Sequence, residues 1–203
     1  MSNVPTVSKI MIIRHAEKPD GVSRGVDPNG SPDDEALTVR GWQRSGGLVA
    51  LFDPARGPLQ TAALARPGRI FASQSSPTKH SQRPFQTVAA LAQRLGISPV
   101  TFDHTKIPDL VDAVLAATGA VLISWQHEDI PAIARAIADK SKLPVTPVSP
   151  SPWPPPEWPG QRFDLVWVLE LVGNDPPTSW SFTQVPQLLL PGDSAEVIAG
   201  SAS

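Results

Sequence analysis

Cysteine is absent from the 203-residue chain, which excludes disulfides, thiolate metal sites and cysteine nucleophiles together. Both reducing and oxidising locations tolerate such a sequence. A charge excess is missing too: 17 Lys and Arg stand against 19 Asp and Glu, a formal net charge of -2 with no long block of one sign. No basic surface is on offer to nucleic acid or anionic lipid, so any anion must be bound locally. No apolar run approaches the roughly 18 residues that span a bilayer. The opening stretch MSNVPTVSKIMIIRH lacks a positively charged leader, and its apolar run of about four residues is short of the roughly 7 to 15 of a signal core. The expectation is a soluble, cytoplasmic protein with neither nucleic-acid nor membrane partners.

What is present is ordinary globular material, 40% hydrophobic and 18% charged. This length fills one core well, and a single domain over residues 1–203 is expected. Proline is abundant: 24 in all, eight of them between Pro144 and Pro159 in PVTPVSPSPWPPPEWP. Such a run excludes helix and central strand and prefers extended polyproline geometry. It reads as a surface crossing over about 144–160, the alternative being a ligand for a proline-recognising module. There is no internal repeat.

The runs SKIMIIR (8–14), RIFAS (69–73) and AVLISW (120–125) are short and rich in β-branched residues, as expected of strands buried on both faces. Between them lie helical patterns. Thr38 is a capping type before Leu48, Leu51 and Phe52; Phe85, Val88, Ala92 and Leu95 are helically spaced between Pro84 and Gly96; Leu110, Val111, Val114 and Leu115 mark a third helix. A fourth carries Ile130, Ile133 and Ile137 on one face behind Pro131, and FDLVWVLEL and WSFTQV form a late strand pair. The alternation predicts an α/β fold, a mostly parallel sheet with helices on both faces (an α/β/α sandwich) and a late antiparallel edge hairpin. Ligands of such sheets sit beyond the carboxyl ends of strands. Arg14-His15, the loop from Ser73 to Arg83, and Gln126-His127-Glu128 all follow strands.

Singly these residues mean little. Together they repeat one arrangement, a buried strand followed by His and then helix, twice, with an arginine at another helix start between. In that order IIRHAEK resembles the Arg-His signature of the histidine phosphatase superfamily, the phosphoglycerate-mutase-like fold. ALTVRGWQRSGGLVALF is similar to its following helix, IFASQSSPTKHSQRPFQTVAALAQRLG to its second-arginine segment, and VLISWQHEDIPAIA to its second-histidine segment. The resemblance spans about residues 9–137, with WPGQRFDLVWVL a weaker echo. Ala16 stands where many members have Gly.

The chemistry agrees with what the resemblance implies. A phosphomonoester carries about two negative charges, so attack on it must overcome repulsion and steady the equatorial oxygens. Arg14 and Arg83 are permanently charged forks suited to phosphate oxygens, and Arg83 adds the amides of the helix it begins. His127 can donate to a further oxygen. His15 is the candidate nucleophile, one ring nitrogen held by a backbone carbonyl and the other attacking phosphorus to give a phosphohistidine. No metal and no cofactor is implied.

The leaving oxygen needs a proton. In one branch of the family the acid directly follows the second histidine, where Glu128 stands; in the other it comes from the segment that here holds Asp103 and Asp109. Glu17 and Lys18 read as solvated loop charges, His80 as an exposed loop histidine, and His104 has no visible partner. The reading is a metal-independent phosphomonoester hydrolase acting on a phosphorylated small molecule or phosphoprotein. Its alternatives are a phosphoglycerate-type mutase and a non-catalytic phosphate- or protein-binding module on the same fold. A metal hydrolase using His15, Glu17, His127 and Glu128 lacks any short-spaced ligand pair. Substrate identity and oligomeric state are not legible.

Overall fold

Four apolar residues in a row, Ile10 to Ile13, need cover on both faces of a strand, and the fold supplies it. The computed structural model describes residues 5–75, 80–148, 153–173 and 176–199. The strands are β1 (Val7–Arg14), β2 (Arg69–Gln74), β3 (Val100–Asp103), β4 (Gly119–Trp125), β5 (Val145–Pro147), β6 (Leu165–Val172) and β7 (Ser179–Pro186). The helices are α1 (Val39–Phe52), α2 (Arg83–Leu95), α3 (Ile107–Leu115) and α4 (Ile130–Ser141). Among the described residues seven strands form one sheet in the order β3-β2-β4-β1-β6-β7-β5, with β1 at its centre.

Successive residues of β1 feed opposite layers, as the two-residue period of a strand requires. Ile10 and Ile12 pack with Val111 and Val114 of α3 and Ile133 and Ile137 of α4. Met11 and Ile13 pack with Leu48 and Phe52 of α1 and Val88 and Leu91 of α2. The expected α/β class and two helical layers are therefore present. The helix ends follow their signals: the Thr38 hydroxyl accepts from the Gly41 amide at 3.1 Å, and α2 stops at Gly96, which adopts the left-handed conformation (φ 69°). Gly47 lies inside α1 because Leu189 occupies the space of its missing side chain, 3.2 Å from where a Cβ would be.

Three details differ from the sequence reading. Thr101 to Asp103 belong to β3, a half-buried edge strand whose mixed polarity gives no periodic signal. Phe85 is 43% exposed, and the apolar face of α2 is built on Val88, Leu91 and Ala92. The late hairpin β6-β7 is present, but β5 pairs outside β7 and takes the edge, a place where Pro144 just before it and Pro147 at its end are tolerated. The rest of the crossing is anchored by Pro155 and Trp158, both buried; residues 149–152 lie outside the described set.

Strand direction positions the site. β1, β2, β3 and β4 are mutually parallel, and β6 runs against both β1 and β7. With Ile13 opposite Val166, the residues just before β6 arrive at the same end of the sheet as those just after β1. The stretch 158–164 thereby meets Arg14 and His15.

Candidate active site

Arg14 ends β1 and is 1% exposed, yet among the described residues it forms no ion pair within 4 Å with a carboxylate. One terminal nitrogen, Nη1, donates to the Gly160 carbonyl. The guanidinium carbon lies over the Phe163 ring, 3.9 Å from its centroid. Nε and Nη2, the two donors of one edge, are buried and meet no hydrogen-bond partner among the described residues. Burial lowers the Arg14 pKa to about 10, with the charges of Glu128 and Glu17 opposing the shift and Arg83 adding to it. The group stays cationic at neutral pH, with two N–H groups that a buried site rarely leaves unmet.

His15 is 4% exposed. Its backbone amide continues the β1–β4 pairing by donating to the Trp125 carbonyl at 2.9 Å. Its Nδ1 lies 2.8 Å from the Ala16 carbonyl; a carbonyl only accepts, so Nδ1 carries the proton and Nε2 the lone pair. Burial, followed by the field of Arg14 and smaller contributions from Arg83 and His127, holds the imidazole well below its ordinary pKa, although the Ala16 bond works the other way. His15 is therefore neutral across the physiological range. In an NMR titration its ring signals are expected to stay still as pH falls through 6.5, the ordinary histidine value. The folded pKa is the lower one, so this group's contribution to stability is complete above about 6.5 and is lost as pH falls below it. A His15 titration centred near 6.5 would contradict this.

Thr87 ties α2 to this corner. Its hydroxyl donates to the Arg83 carbonyl at 2.7 Å and accepts from the Ala16 amide at 2.8 Å. Arg83, the first residue of α2, acts electrostatically on both Arg14 and His15. Its donors are engaged: Nε with the Ala36 carbonyl, Nη1 with Ser81 Oγ and Nη2 with the Asp34 carbonyl. Burial lowers its pKa, and the carboxylates of Glu35, Asp33 and Asp34 oppose that shift. Arg83 thus lies near the corner with a filled fork, unlike Arg14. Residues 76–79 of the preceding loop are outside the described set, and His80 is exposed.

His127 follows β4 and is half-buried, with Nδ1 3.0 Å from the exposed carboxylate of Glu128. Its Nε2 lies 3.3 Å from where a Cβ on Gly160 would be, so glycine at 160 is what allows the ring so close. Asp103 accepts from the amide and hydroxyl of Thr105 and lies 3.4 Å from His104. Asp109 is exposed in the first turn of α3.

Glu17 differs from the expectation of a solvated loop charge. It is 9% exposed and receives Arg44 Nη2 at 2.8 Å and Arg40 Nε at 3.2 Å. Arg44, 2% exposed, also reaches Asp193 at 2.7 Å and Gln187 at 3.0 Å. Burial alone would lower the Arg44 pKa; the hydrogen bonds that Arg44 donates to Asp193 and Glu17 outweigh it and raise it. This network clamps the loop after His15 to α1 and to the turn at 189–193. It also consumes Glu17 as a metal ligand, and among the described residues no three His, Cys, Asp or Glu side chains are placed to hold a metal ion. Lys18 is exposed.

A cleft of about 270 Å³ is lined by Lys18, Ser23, Thr38, Gly160, Gln161 and Phe163 among others; it shares Gly160 and Phe163 with the surroundings of Arg14, which does not itself line it. Gly160 and Phe163 escaped the sequence reading. Their signal was the reversed direction of β6, which brings the residues preceding a strand, rather than those following it, to this end of the sheet.

No helix among the described residues is long and apolar enough to cross a membrane. No family model matches the sequence, and no curated protein is similar to it. Among solved structures the chain is similar to mycobacterial glucosyl-3-phosphoglycerate phosphatase. The complex of that protein with VO3 matches at a TM-score of 0.48 and 10% identity over 87% of this chain and 97% of that one; its native structure matches at 0.46 and 12% over 86% and 96%.

Proposed function

We propose that the protein is a metal-independent phosphomonoester hydrolase that works through a phosphohistidine on His15. The observation that carries this reading is the buried Arg14 edge, two N–H groups without a partner, beside a neutral imidazole whose proton is fixed on Nδ1. A side-on guanidinium edge matches two phosphate oxygens. Arg83 adds positive potential and exchanges its loop carbonyls for phosphate oxygen, and His127 donates to a third oxygen.

In the first step the Nε2 lone pair of His15 attacks phosphorus in line. The bond from phosphorus to the ester oxygen breaks, and that oxygen takes a proton and leaves as the alcohol. Glu128 is the proposed donor: of the three candidate carboxyls, it is the one whose charge bears on Arg14. In the second step water attacks phosphorus, the N–P bond breaks and its electrons return to Nε2, while Glu128 takes the proton from water. Charge on the transferring group is met throughout by the arginines, the role a metal fills in other phosphoryl transfers. The cleft bordered by Gly160 and Phe163 receives the alcohol portion of a phosphorylated small molecule or phosphoprotein.

The test is a quench experiment in chelator with a chromogenic or radiolabelled aryl phosphate. Alkali-stable, acid-labile label on the peptide containing His15 is the expected result. Turnover that chelator abolishes, or label on another residue, would overturn the reading.

A further inference from the structure

We propose that Phe163 is a positioning residue for phosphate binding, aiming Arg14 without occupying the donors that the phosphate needs. The inference rests on the hydrolase reading above and extends it to a residue outside the Arg-His signature.

A buried guanidinium must be compensated, and the usual partner is a carboxylate that takes its N–H fork. Such a partner at Arg14 would compete with phosphate for the same donors. An aromatic face compensates differently, attracting the cation through its quadrupole while accepting no in-plane N–H. The ring centroid lies 3.9 Å from the Arg14 guanidinium carbon, and the Gly160 carbonyl fixes rotation in the plane by taking Nη1. Nε and Nη2 remain. The same ring is tilted 55° against His15 with centroids 6.2 Å apart, so it bears on the proposed nucleophile as well. It also borders the cleft.

The residues on either side of Phe163 are themselves held. Arg162 donates through Nε to Asp164 at 2.7 Å and through Nη2 to the Glu196 carbonyl at 2.7 Å, and its own carbonyl accepts from Trp158 Nε1 at 2.7 Å. Asp164 in turn accepts from the Ser194 amide at 2.7 Å. Both flanks of Phe163 are therefore tied to the segment after β7.

The experiment compares Phe163→Leu, which keeps apolar bulk, with Phe163→Tyr, which keeps the ring. Inorganic phosphate is the probe, its affinity read as competitive inhibition and by calorimetry, and the Arg14 Nε–H resonance is followed by NMR. Phosphate affinity is expected to fall about 10-fold in Phe163→Leu, within the range of a desolvated cation–ring contact, and to stay within about 2-fold of wild type in Phe163→Tyr. The ring-shifted Nε–H signal should be kept by Tyr and lost with Leu. A role in packing alone would lower the melting temperature of Phe163→Leu and leave its phosphate affinity unchanged, which overturns the proposal; so does equal loss in both variants. If Phe163→Leu fails to fold, Phe163→Met makes the same comparison. Wild-type protein with no affinity for phosphate overturns the hydrolase reading and this inference with it, whereas tight binding shared by wild type and Phe163→Leu overturns this inference alone.

Discussion

His15→Ala is expected to lower kcat for an aryl phosphate by about 10⁴-fold or more, the scale on which loss of an enzyme nucleophile acts. The loss follows from the proposed chemistry: the phosphoryl group passes through the Nε2 lone pair of His15, which alanine lacks, and the chain has no cysteine to offer a thiolate instead. Arg14 and its ring and carbonyl contacts do not pass through the His15 imidazole, so inorganic phosphate should still bind the variant. The expected pattern is thus a protein that holds phosphate and does not turn over ester. Steady-state assay in chelator, together with phosphate calorimetry, reads both halves. Residual turnover above about a hundredth of wild type, or equal loss of binding and turnover, would assign His15 a role other than nucleophile.

The largest expected loss of stability comes from Arg44→Met. The substitution removes a guanidinium that sits between the carboxylates of Glu17 and Asp193, and it leaves both acids buried with their main cation gone. Breaking a buried pair from one side costs about 3–5 kcal/mol, which for a chain of this length lowers Tm by roughly 6–20 °C. The pH dependence has a definite sign. Burial raises the Asp193 pKa, but its bonds from Arg44 and from the Leu190 and Leu189 amides outweigh this and hold the carboxyl below its ordinary 3.8. That contribution is complete above about pH 4 in the wild type and is lost as pH falls through the depressed value. In Arg44→Met the two carboxylates repel, and protonation relieves them. The difference between the proteins should therefore be largest near pH 7 and shrink toward pH 4, as measured by urea unfolding at both. A constant difference across that range would mean that Arg44 stabilises by packing its stem rather than by charge.

Much of the framework was legible because it rests on local signals. β1, β2 and β4 are short, β-branched and buried on both faces, and Thr38, Pro84 and Gly96 mark helix ends by chemistry that needs no knowledge of distant residues. The positions of Arg14, His15, Arg83 and His127 at strand and helix ends follow from the same signals. What was not legible depends on partners far along the chain. Glu17 looks solvated until Arg44 and Asp193 are folded onto it. Gly160 and Phe163 look like part of a proline-rich crossing until the pairing of β6 with β1 is known. β3 was missed for another reason: its four residues are exposed or half-buried, so no hydrophobic period identifies them.

The reversed strand also sets an order of assembly in time. The carbonyl that orients Arg14 lies 146 residues after it, and ribosomes add roughly 5–20 residues per second. Arg14 therefore leaves the ribosome roughly 7–30 s before Gly160 does. Through that interval the nascent chain carries β1, α1, β2, α2 and β4 with Arg14 unaimed. Closing so long a loop comes late and slowly, as non-local strand pairing does. A chain released before β6 and β7 are made would display the Arg-His pair without the Gly160 carbonyl and Phe163 ring that orient Arg14.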